Sequence, residues 1–309
     1  MRAKLVVPAV AAACLLMPAC IIDDFGAGMR YSQDFHYSYP LNANGRVTVE
    51  TFNGSVEVTG WDQNTIDISG TKYGPTQQAA DDLRVNIDHS PDRAEIRVPR
   101  PSDRRNNQGA KLVIKIPRAA VLDRITTSNA SVRTTDGAGP VRIRSSNGSI
   151  RVDHLRGSLD AQTSNSAVEA TGIEGDVHVH TSNGHVIAKD FDGSFDAVTS
   201  NSSVTASVAD PTGAVRVETS NGSVDLTLPA HYRADARVNT SNSSITVRMP
   251  AANGAHLVAR TSNSSITTDF DMTNESGEIT KRHVDAQIGP GGPLLDLGTS
   301  NGSIRVVKH

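Results

Sequence analysis

The stretch SAVEATGIEGDVHVHTSN, residues 166–183, carries the pattern that decides the fold. Apolar and polar residues alternate around Val168 and again around Val177, and a glycine stands between the two halves. An alternation with a period of two residues is typical of strands that bury one face. The stretch therefore predicts two short strands and two turns.

Copies of this pattern follow one another down the chain, and each is marked by Thr or Ser, then Ser-Asn, then a small residue. From Asn129 onward the asparagines are separated by 18, 18, 18, 18, 20, 21, 21 and 38 residues. Equal periods with small insertions are typical of solenoids. The sequence predicts an all-β fold, a parallel β-solenoid with about 18–21 residues per coil. The last interval indicates a coil without the motif or an excursion of the chain.

Equivalent residues of successive coils lie above one another in a solenoid, so the repeated asparagines should form a column. An Asn side chain carries an amide donor and a carbonyl acceptor, and stacked copies can therefore hydrogen-bond to each other. We predict a structural ladder, with an exposed ligand-binding row as the alternative. The ladder residues are Asn129, Asn147, Asn165, Asn183, Asn201, Asn221, Asn242, Asn263 and Asn301.

The N-terminal part is less regular than the rest. We interpret residues 35–128 as a β-rich N-terminal cap with the first coils, and residues 129–309 as the regular repeat. The motif at Asn53 is an isolated first copy, and residues 75–83 predict one short helix because proline suits its start. A cap would cover edge strands that otherwise present unpaired backbone groups.

The first twenty residues, MRAKLVVPAVAAACLLMPAC, predict an export signal. Basic residues precede an apolar stretch, and a small residue precedes Cys20. This order is typical of bacterial lipoprotein signals, in which cleavage leaves a cysteine that carries lipid. We expect a signal peptide at 1–19, lipidation of Cys20 and a tether at 20–34. Cleavage at Cys14, ordinary secretion and an uncleaved anchor are the alternatives.

Composition narrows the function classes. Both cysteines lie in the leader, so the remaining chain has no disulfide and no cysteine-ligated zinc. Aromatic residues make up 4% and apolar residues 37%, which favours many short strands over a bulky helical core. The net charge is −3 without a basic stripe, so we predict no nucleic-acid partner. Loss of the basic leader would make the chain more acidic, and the lipid would then have to supply the anchoring.

Candidate chemical sites are weak in this sequence. His178, His180 and His185 lie close together, but solvated strand histidines explain them better than a metal site does. Residues 190–196 open like a calcium loop but lack its later glutamate. No Gly-x-Ser-x-Gly elbow is present. We predict no catalytic residue, no metal and no cofactor.

Several segments together resemble a known bacterial family. These are GRVTVETFNGSVEVTGW at 45–61, KLVIKIP at 111–117, the serial TSNGS-type units, and GPGGPLLDLGTSNGSIRV at 289–306. Over residues 35–309 the chain resembles the bacterial "putative adhesin" family, a domain of unknown function in secreted and envelope proteins. The resemblance implies a β-solenoid, and it supplies no catalytic residues.

These observations lead to an expected function. We expect a non-enzymatic, lipid-anchored protein of the cell envelope, located in the outer membrane if the host is Gram-negative. Its solenoid would present an extended surface for adhesion or assembly, to a surface glycan, a protein or further copies of itself. The membrane would be a partner through the N-terminal lipid anchor. A carbohydrate-active β-helix enzyme and a self-assembling envelope scaffold are the alternatives.

Overall fold

The computed structural model describes residues 31–102, 107–210, 213–273 and 279–309. The predicted signal peptide and the lipidation candidate Cys20 lie outside the described residues, and so do Cys14 and most of the tether. The fold is therefore described for these four ranges.

Strands dominate every part of the described chain. The N-terminal elements are β1 (Tyr31–Pro40), β2 (Arg46–Glu50), β3 (Gly54–Trp61), β4 (Thr65–Gly74), α1 (Gln77–Asp81), β5 (Asn86–Ser90), β6 (Arg93–Arg97), β7 (Gly109–Pro117) and β8 (Val121–Thr126). The middle strands are β9 (Ser131–Ala138), β10 (Val141–Arg144), β11 (Ile150–Arg156), β12 (Leu159–Gln162), β13 (Val168–Glu174), β14 (Val177–His180), β15 (Val186–Asp192), β16 (Phe195–Val198), β17 (Val204–Asp210), β18 (Val215–Glu218), β19 (Val224–Thr227), β20 (Ala236–Asn239) and β21 (Ile245–Met249). The C-terminal strands are β22 (Ala255–Thr261), β23 (Ile266–Thr268), β24 (Met272–Thr273), β25 (His283–Ile288), β26 (Leu294–Thr299) and β27 (Ile304–Lys308).

The predicted all-β solenoid is confirmed. Each coil gives one strand to each of two faces, and every level of the stack is called a rung below. The first face contains the strands that follow the Ser-Asn corner, such as β11, β13 and β15, which pair in parallel. The second face contains the strands that precede it, such as β10, β12 and β14, also in parallel.

The core lies between the two faces and follows the period-two pattern. Val168, Val186 and Val204 occupy the same register position on neighbouring rungs, and all three are buried. Burial of one such side chain contributes about 1.5–3 kcal/mol, so the small aliphatic residues of many rungs together stabilise a long stack. Phe191 and Phe195, whose ring centroids are 5.0 Å apart, are the bulkiest fully buried side chains of this core.

At its C-terminal end the stack departs from chain order. The last coil of the sequence, β26 and β27, lies between two earlier ones: β26 pairs with β20 and β22, and β27 pairs with β21 and β23. The 38-residue interval is therefore an excursion, in which the chain forms the outer rung first and returns through β24 and β25. Both of these strands are antiparallel to their partners.

The N-terminal end departs from chain order in the same way. The first coil, β2 and β3, lies one rung inside the stack, because β2 pairs with β6 and β8 while β3 pairs with β7 and β9. The motif copy at Asn53, which the sequence suggested to be isolated, thus stands directly beside the coil of Asn129. The physical reason is that parallel pairing requires a matching surface and not adjacency along the chain.

Antiparallel strands cover both faces at the N-terminal end of the stack but only the second face at the C-terminal end, where β25 pairs with β22. Among the described strands, β23 pairs only with β27 and is the outermost strand of the first face. At the N-terminal end β4 pairs with β7, β1 with β4, and β5 with β6. Helix α1 lies inside the predicted segment but is shorter, and Thr76 caps it by accepting a hydrogen bond from the Ala79 amide at 3.1 Å. None of the helices in the described ranges is long and apolar enough to cross a membrane.

Candidate functional site

The asparagines of the repeat form one column along the corner that joins the two faces. Among the described residues ten take part, and each side-chain amide donates to the side-chain carbonyl of the neighbouring rung at 2.6–2.9 Å. The donor–acceptor pairs are Asn129–Asn53, Asn147–Asn129, Asn165–Asn147, Asn183–Asn165, Asn201–Asn183, Asn221–Asn201, Asn242–Asn221, Asn301–Asn242 and Asn263–Asn301. The column ends on the Gln108 carbonyl, which accepts from Asn53 at 3.1 Å.

Nearly all of these asparagines are exposed, and only Asn53 is half-buried. The asparagine side chains therefore hydrogen-bond to one another as predicted for a structural ladder, but they lie at the surface, as expected for a ligand-binding row. Water can replace a bond at an exposed site, so the stabilising role of the ladder stays a prediction, which the variants in the Discussion test.

The main chain of the corner is stacked as well. The amides of Ser146 and Asn147 both donate to the Ser128 carbonyl, at 3.2 and 2.9 Å, and the same pair of bonds recurs on later rungs. The corner is thus held by backbone bonds that do not depend on the asparagine side chain.

A buried threonine stands two residues before nine of the ten asparagines, and Ser145 takes its place before Asn147. Sequence reasoning underestimated its contribution. The Thr181 hydroxyl donates to the Ser166 carbonyl of the preceding rung at 3.3 Å and accepts from the Gly184 amide at 3.2 Å. Thr181 is 1% exposed. The signal was available in the sequence, because a hydroxyl residue recurs at an inward position otherwise reserved for Val, Ile and Ala.

The residue after the asparagine alternates between glycine and a small residue from rung to rung. A Cβ on Gly184 would lie 1.7 Å from the Ser166 carbonyl oxygen, and one on Gly302 would lie 1.8 Å from that of Ser243, so glycine is required at these rungs. In spatial order these residues are Gly54, Ala130, Gly148, Ser166, Gly184, Ser202, Gly222, Ser243, Gly302 and Ser264. Beyond Gly54 the register position is occupied by Ala110, which follows Gly109 and not an asparagine.

Ion pairs between rungs organise the outward faces. Asp160 accepts a bidentate contact from Arg144, at 2.7 and 2.5 Å, and a further bond from Arg142 at 3.3 Å. The hydrogen bonds from Arg144 hold the pKa of the Asp160 carboxyl below its ordinary value. Arg151 bonds Glu169 of the next rung on the first face in a similar way. These outward side chains are therefore fixed in position.

An open polar groove of about 410 Å³ runs along a second corner of the coil. Asp136, His154 and Asp190 lie there on successive rungs, with Gly172 in register between the last two. All four have left-handed backbone, with φ between 53° and 67°. Asp and His reach this region more easily than most residues, and the bend that they form makes the surface concave.

The groove has defined ends and charged walls. Arg118 closes one end and donates to Asp62 and Asp136, both at 2.8 Å. At the other end strand β17 shifts register against β15, and the bend is not repeated. Arg156 and Glu174, 3.9 Å apart, line the outer wall. Donors and acceptors of this kind can bind a ligand rich in hydroxyl or charged groups.

The histidine and aspartate candidates do not converge. His178 and His180 point outward from β14, whereas His185 lies past the corner, 3.9 Å from Glu169. In the part of the chain that the structure describes, no three His, Cys, Asp or Glu residues are placed to hold a metal ion. Residues 190–196 form an ordinary coil turn, with Phe191 and Phe195 buried in the core.

Asp176 takes part in a local contact near that turn. Its carboxylate accepts from both the amide and the hydroxyl of Ser194 on the next rung, at 2.8 and 2.6 Å. The hydroxyl and the amide of Ser194 lower the pKa of the Asp176 carboxyl. This carboxylate is a structural acceptor between rungs.

These features define a repeat protein, a β-solenoid whose asparagine corners stack into a ladder and whose N-terminal end is capped by antiparallel strands. Residues 44–306 match the Toastrack DUF4097 family, a domain of unknown function, and the chain belongs to this family. No curated protein gives a significant match.

Solved structures that resemble this chain include a "putative adhesin" from Bacteroides fragilis NCTC 9343 and one from Parabacteroides distasonis ATCC 8503. Each shares 13% identity, covers 89% of this chain and 97% of its own, and has a TM-score of 0.39. A "putative lipid binding protein" from P. distasonis shares 12% identity over the same fractions, with a TM-score of 0.27. Family membership rests on the sequence match alone.

Proposed function

We propose that this protein is a non-enzymatic component of the cell envelope, anchored by lipid at Cys20, whose solenoid binds an external partner along its outward surface. The observation that carries the proposal is the fixed register of the outward side chains. Corner residues repeat on every rung, whereas outward positions differ from rung to rung, as at Arg151, Glu169 and Ile187. Binding specificity can therefore reside in the outward positions without disturbing the fold.

The polar groove is the part of that surface best suited to contact a ligand. It is concave, and it extends along the stack across several rungs. Asp190, His154 and Arg156 present a carboxylate, an imidazole and a guanidinium to the same space. Such groups hydrogen-bond to the hydroxyl groups of a glycan, and a linear polymer would follow the axis of the stack.

A glycan array with the purified protein tests this proposal. We expect Asp190→Asn and His154→Asn to weaken binding about tenfold, equivalent to about 1.4 kcal/mol. Asparagine tolerates the left-handed backbone of both positions, so the fold should survive. His180→Asn is the matched control, because His180 is an exposed histidine on the second face, outside the groove. If His180→Asn weakens binding as much as the two groove variants do, the ligand does not bind in the groove.

The same ligands separate a binding protein from an enzyme. Incubation of each bound glycan with the protein, followed by a reducing-end assay, should give no new chain ends. Turnover of any polymer would replace our proposal with a carbohydrate-active enzyme.

A self-assembling scaffold is less favoured, because antiparallel strands cover both faces at the N-terminal end and the second face at the C-terminal end. The strand that assembly could still use, among those described, is β23, which pairs only with β27. Sedimentation of the protein over a range of concentrations should give a constant mass. A mass that rises with concentration would favour assembly.

The anchor is tested separately by metabolic labelling with a palmitate analogue. We expect label in the wild type and none in Cys20→Ala. Equal labelling of the two proteins would remove Cys20 as the lipid attachment site.

A further inference from the structure

Strand β1 concentrates the aromatic residues of a chain that has few. The sequence contains 5 tyrosines, and Tyr31, Tyr37 and Tyr39 all lie in β1, together with Phe35. The centroid of the Phe35 ring is 5.9 Å from that of Tyr37, which is 6.5 Å from that of Tyr39. We call Tyr31, Phe35, Tyr37 and Tyr39 the aromatic row.

The aromatic row lies at the N-terminal end of the stack. Among the described strands, β1 pairs only with β4 and β5 only with β6, so each is the outermost strand of its face. Tyr39 stacks on His89 of β5, with ring centroids 3.8 Å apart, and the row thereby spans the opening between the two faces. It covers the end of the core with rings that remain partly accessible.

The row faces the core and leaves part of its surface accessible. Phe35, Tyr37 and Tyr39 are half-buried and pack against the core, whereas Tyr31 is 47% exposed. The remaining residue on that side of the strand is the uncharged Gln33, which pairs with Lys72 of β4. The polar residues of β1 face the other way, where Asp34 bonds Thr71 at 2.7 Å. On its row side β1 itself carries rings and no charge, and the charged residue paired with it there is Lys72.

We propose that this end docks on the membrane surface, with the aromatic row in the lipid headgroup region and the solenoid axis upright. The inference rests on the proposed lipid anchor at Cys20. Only ten residues lie between Cys20 and Tyr31, which gives a reach of at most about 40 Å when fully extended. Tyrosine suits this interface because its ring is apolar and its hydroxyl is polar.

The short tether makes a weak surface affinity sufficient. Because so few residues join the row to the proposed anchor, docking of the row becomes an intramolecular event with an effective concentration on the order of millimolar. The acidic balance of the mature chain gives no electrostatic attraction to anionic lipid, and the rings would have to supply the contact. Upright docking would leave both faces and the polar groove accessible from the side.

The test uses the full chain, processed in cells and reconstituted into phosphatidylcholine vesicles that contain a headgroup nitroxide lipid. Gln33→Cys, on the row side of β1, carries an environment-sensitive fluorophore. Thr267→Cys is the matched control, because Thr267 is also exposed and lies on the first face at the opposite end. Upright docking predicts quenching at position 33 at least about threefold stronger than at position 267, because only the former label would lie at the interface.

Two further variants keep the proposal open to refutation. Tyr31→Ser should weaken the quenching at position 33 without affecting the melting temperature, since Tyr31 is largely exposed. Phe35→Ser with Tyr37→Ser should abolish the quenching at position 33, with circular dichroism as the check on folding.

Equal quenching at positions 33 and 267 in protein that mass spectrometry shows to be lipidated would overturn the docking alone. Protein without lipid would overturn both the anchor and the docking. Energy transfer between copies labelled at position 33, without quenching, would show that β1 pairs with a second copy and overturn the docking.

Discussion

The middle of the solenoid and its two ends follow the same pairing rules but different chain orders. From β8 to β21 each coil stacks on the one before it in sequence. At each end, the coil nearest the terminus is placed one rung inside, between coils that come later or earlier in the chain. Both regions keep in-register parallel strands and an unbroken asparagine column. The comparison teaches that fit between rungs, and not chain order, decides which coils are neighbours.

Glycine provides the clearest part of that fit. In chain order the residue after the asparagine changes from Ser243 to Ser264 and then Gly302, which breaks the alternation. In spatial order Gly302 lies between the two serines, and the alternation is restored. Direct stacking of the Ser264 coil on the Ser243 coil would bring a Cβ against a backbone carbonyl, as at the other glycine rungs. We infer that Gly302 specifies the insertion of the last coil.

The largest expected effect comes from adding a side chain at a glycine rung. Gly302→Ser should destabilise by about 3 kcal/mol or more, because the neighbouring carbonyl belongs to the backbone and cannot turn away. Limited proteolysis should then release residues 294–309 while the middle rungs stay protected. Gly222→Ser, whose Cβ would lie 1.7 Å from the Ser202 carbonyl oxygen, should instead destabilise the middle of the stack.

Ser264→Ala is the control for the glycine variants, because a Cβ is already present at that rung. It should change the free energy of unfolding by less than about 1 kcal/mol. An equal loss of stability in Ser264→Ala and Gly302→Ser would contradict the role given to the alternation.

A smaller effect is expected at the threonines, which distinguish the middle from the N-terminal coil. Thr181→Val should cost about 1–3 kcal/mol, because the Gly184 amide and the Ser166 carbonyl lose a buried partner. Thr51 occupies the equivalent position in the first coil, but its buried hydroxyl has no hydrogen-bond partner in the described structure. Thr51→Val should therefore be neutral or stabilising. Thermal unfolding of both variants measures this difference in stability. An equal loss of stability in Thr51→Val and Thr181→Val would contradict the prediction.

The asparagine column should show a graded effect along its length. Asn183 donates to Asn165 and accepts from Asn201, whereas Asn263 ends the column and donates only to Asn301. We expect Asn183→Ala to cost about 1–2 kcal/mol and Asn263→Ala about half of that, since each exposed bond contributes modestly. Denaturant unfolding gives both values. An unchanged stability of Asn183→Ala would favour the exposed binding row.

The smallest effect is expected from the outward ion pairs. Asp160→Asn should cost less than about 1 kcal/mol, because the side chain is 40% exposed and solvent screens the pair. The folded-state pKa of Asp160 is lowered, so its stabilising contribution is complete above the ordinary carboxyl pKa of about 4 and disappears as the pH falls through the folded value. Unfolding curves of the two proteins should therefore differ at pH 7 and converge at low pH. If the wild type and Asp160→Asn still differ in stability at low pH, the ionised carboxylate of Asp160 is not the cause of the difference.

The periodic features were predictable because a solenoid repeats one set of contacts on every rung. The eighteen-residue interval with alternating Val and Ala fixed the two strands per coil, and the corner position of Asn183 followed from the same period. The inserted coils were not predicted, because an interval between copies gives the length of an excursion but not its destination. The place of Gly302 in the alternation of glycine and small residues does indicate where the last coil inserts. The alternation can be interpreted in this way only when the contacts between a Cβ and the carbonyl of the neighbouring rung are known.

The candidate site was less predictable than the fold. The groove depends on Asp136, His154 and Asp190 sharing a left-handed bend. These residue types permit such a bend, and the positions differ by multiples of eighteen residues, but neither property by itself specifies the bend. The histidines that stood out, His178 and His180, face solvent away from the groove. Residues that adjoin in sequence alternate between opposite sides of a strand, so closeness along the chain says little about convergence.

The sequence by itself determined the class of fold, the length of the coil, the buried aliphatic positions and the existence of a corner built on asparagine. These are local or periodic properties, and every copy of the repeat carries the same sequence pattern for them. Only the tertiary structure decided the order of the rungs at the two ends, the addition of Asn53 to the column, the position of Asn301 between Asn242 and Asn263, and the placing of aromatic β1 across the open end of the core. These features depend on which surfaces meet across long separations in the chain, and that is settled by steric fit and hydrogen bonding between rungs.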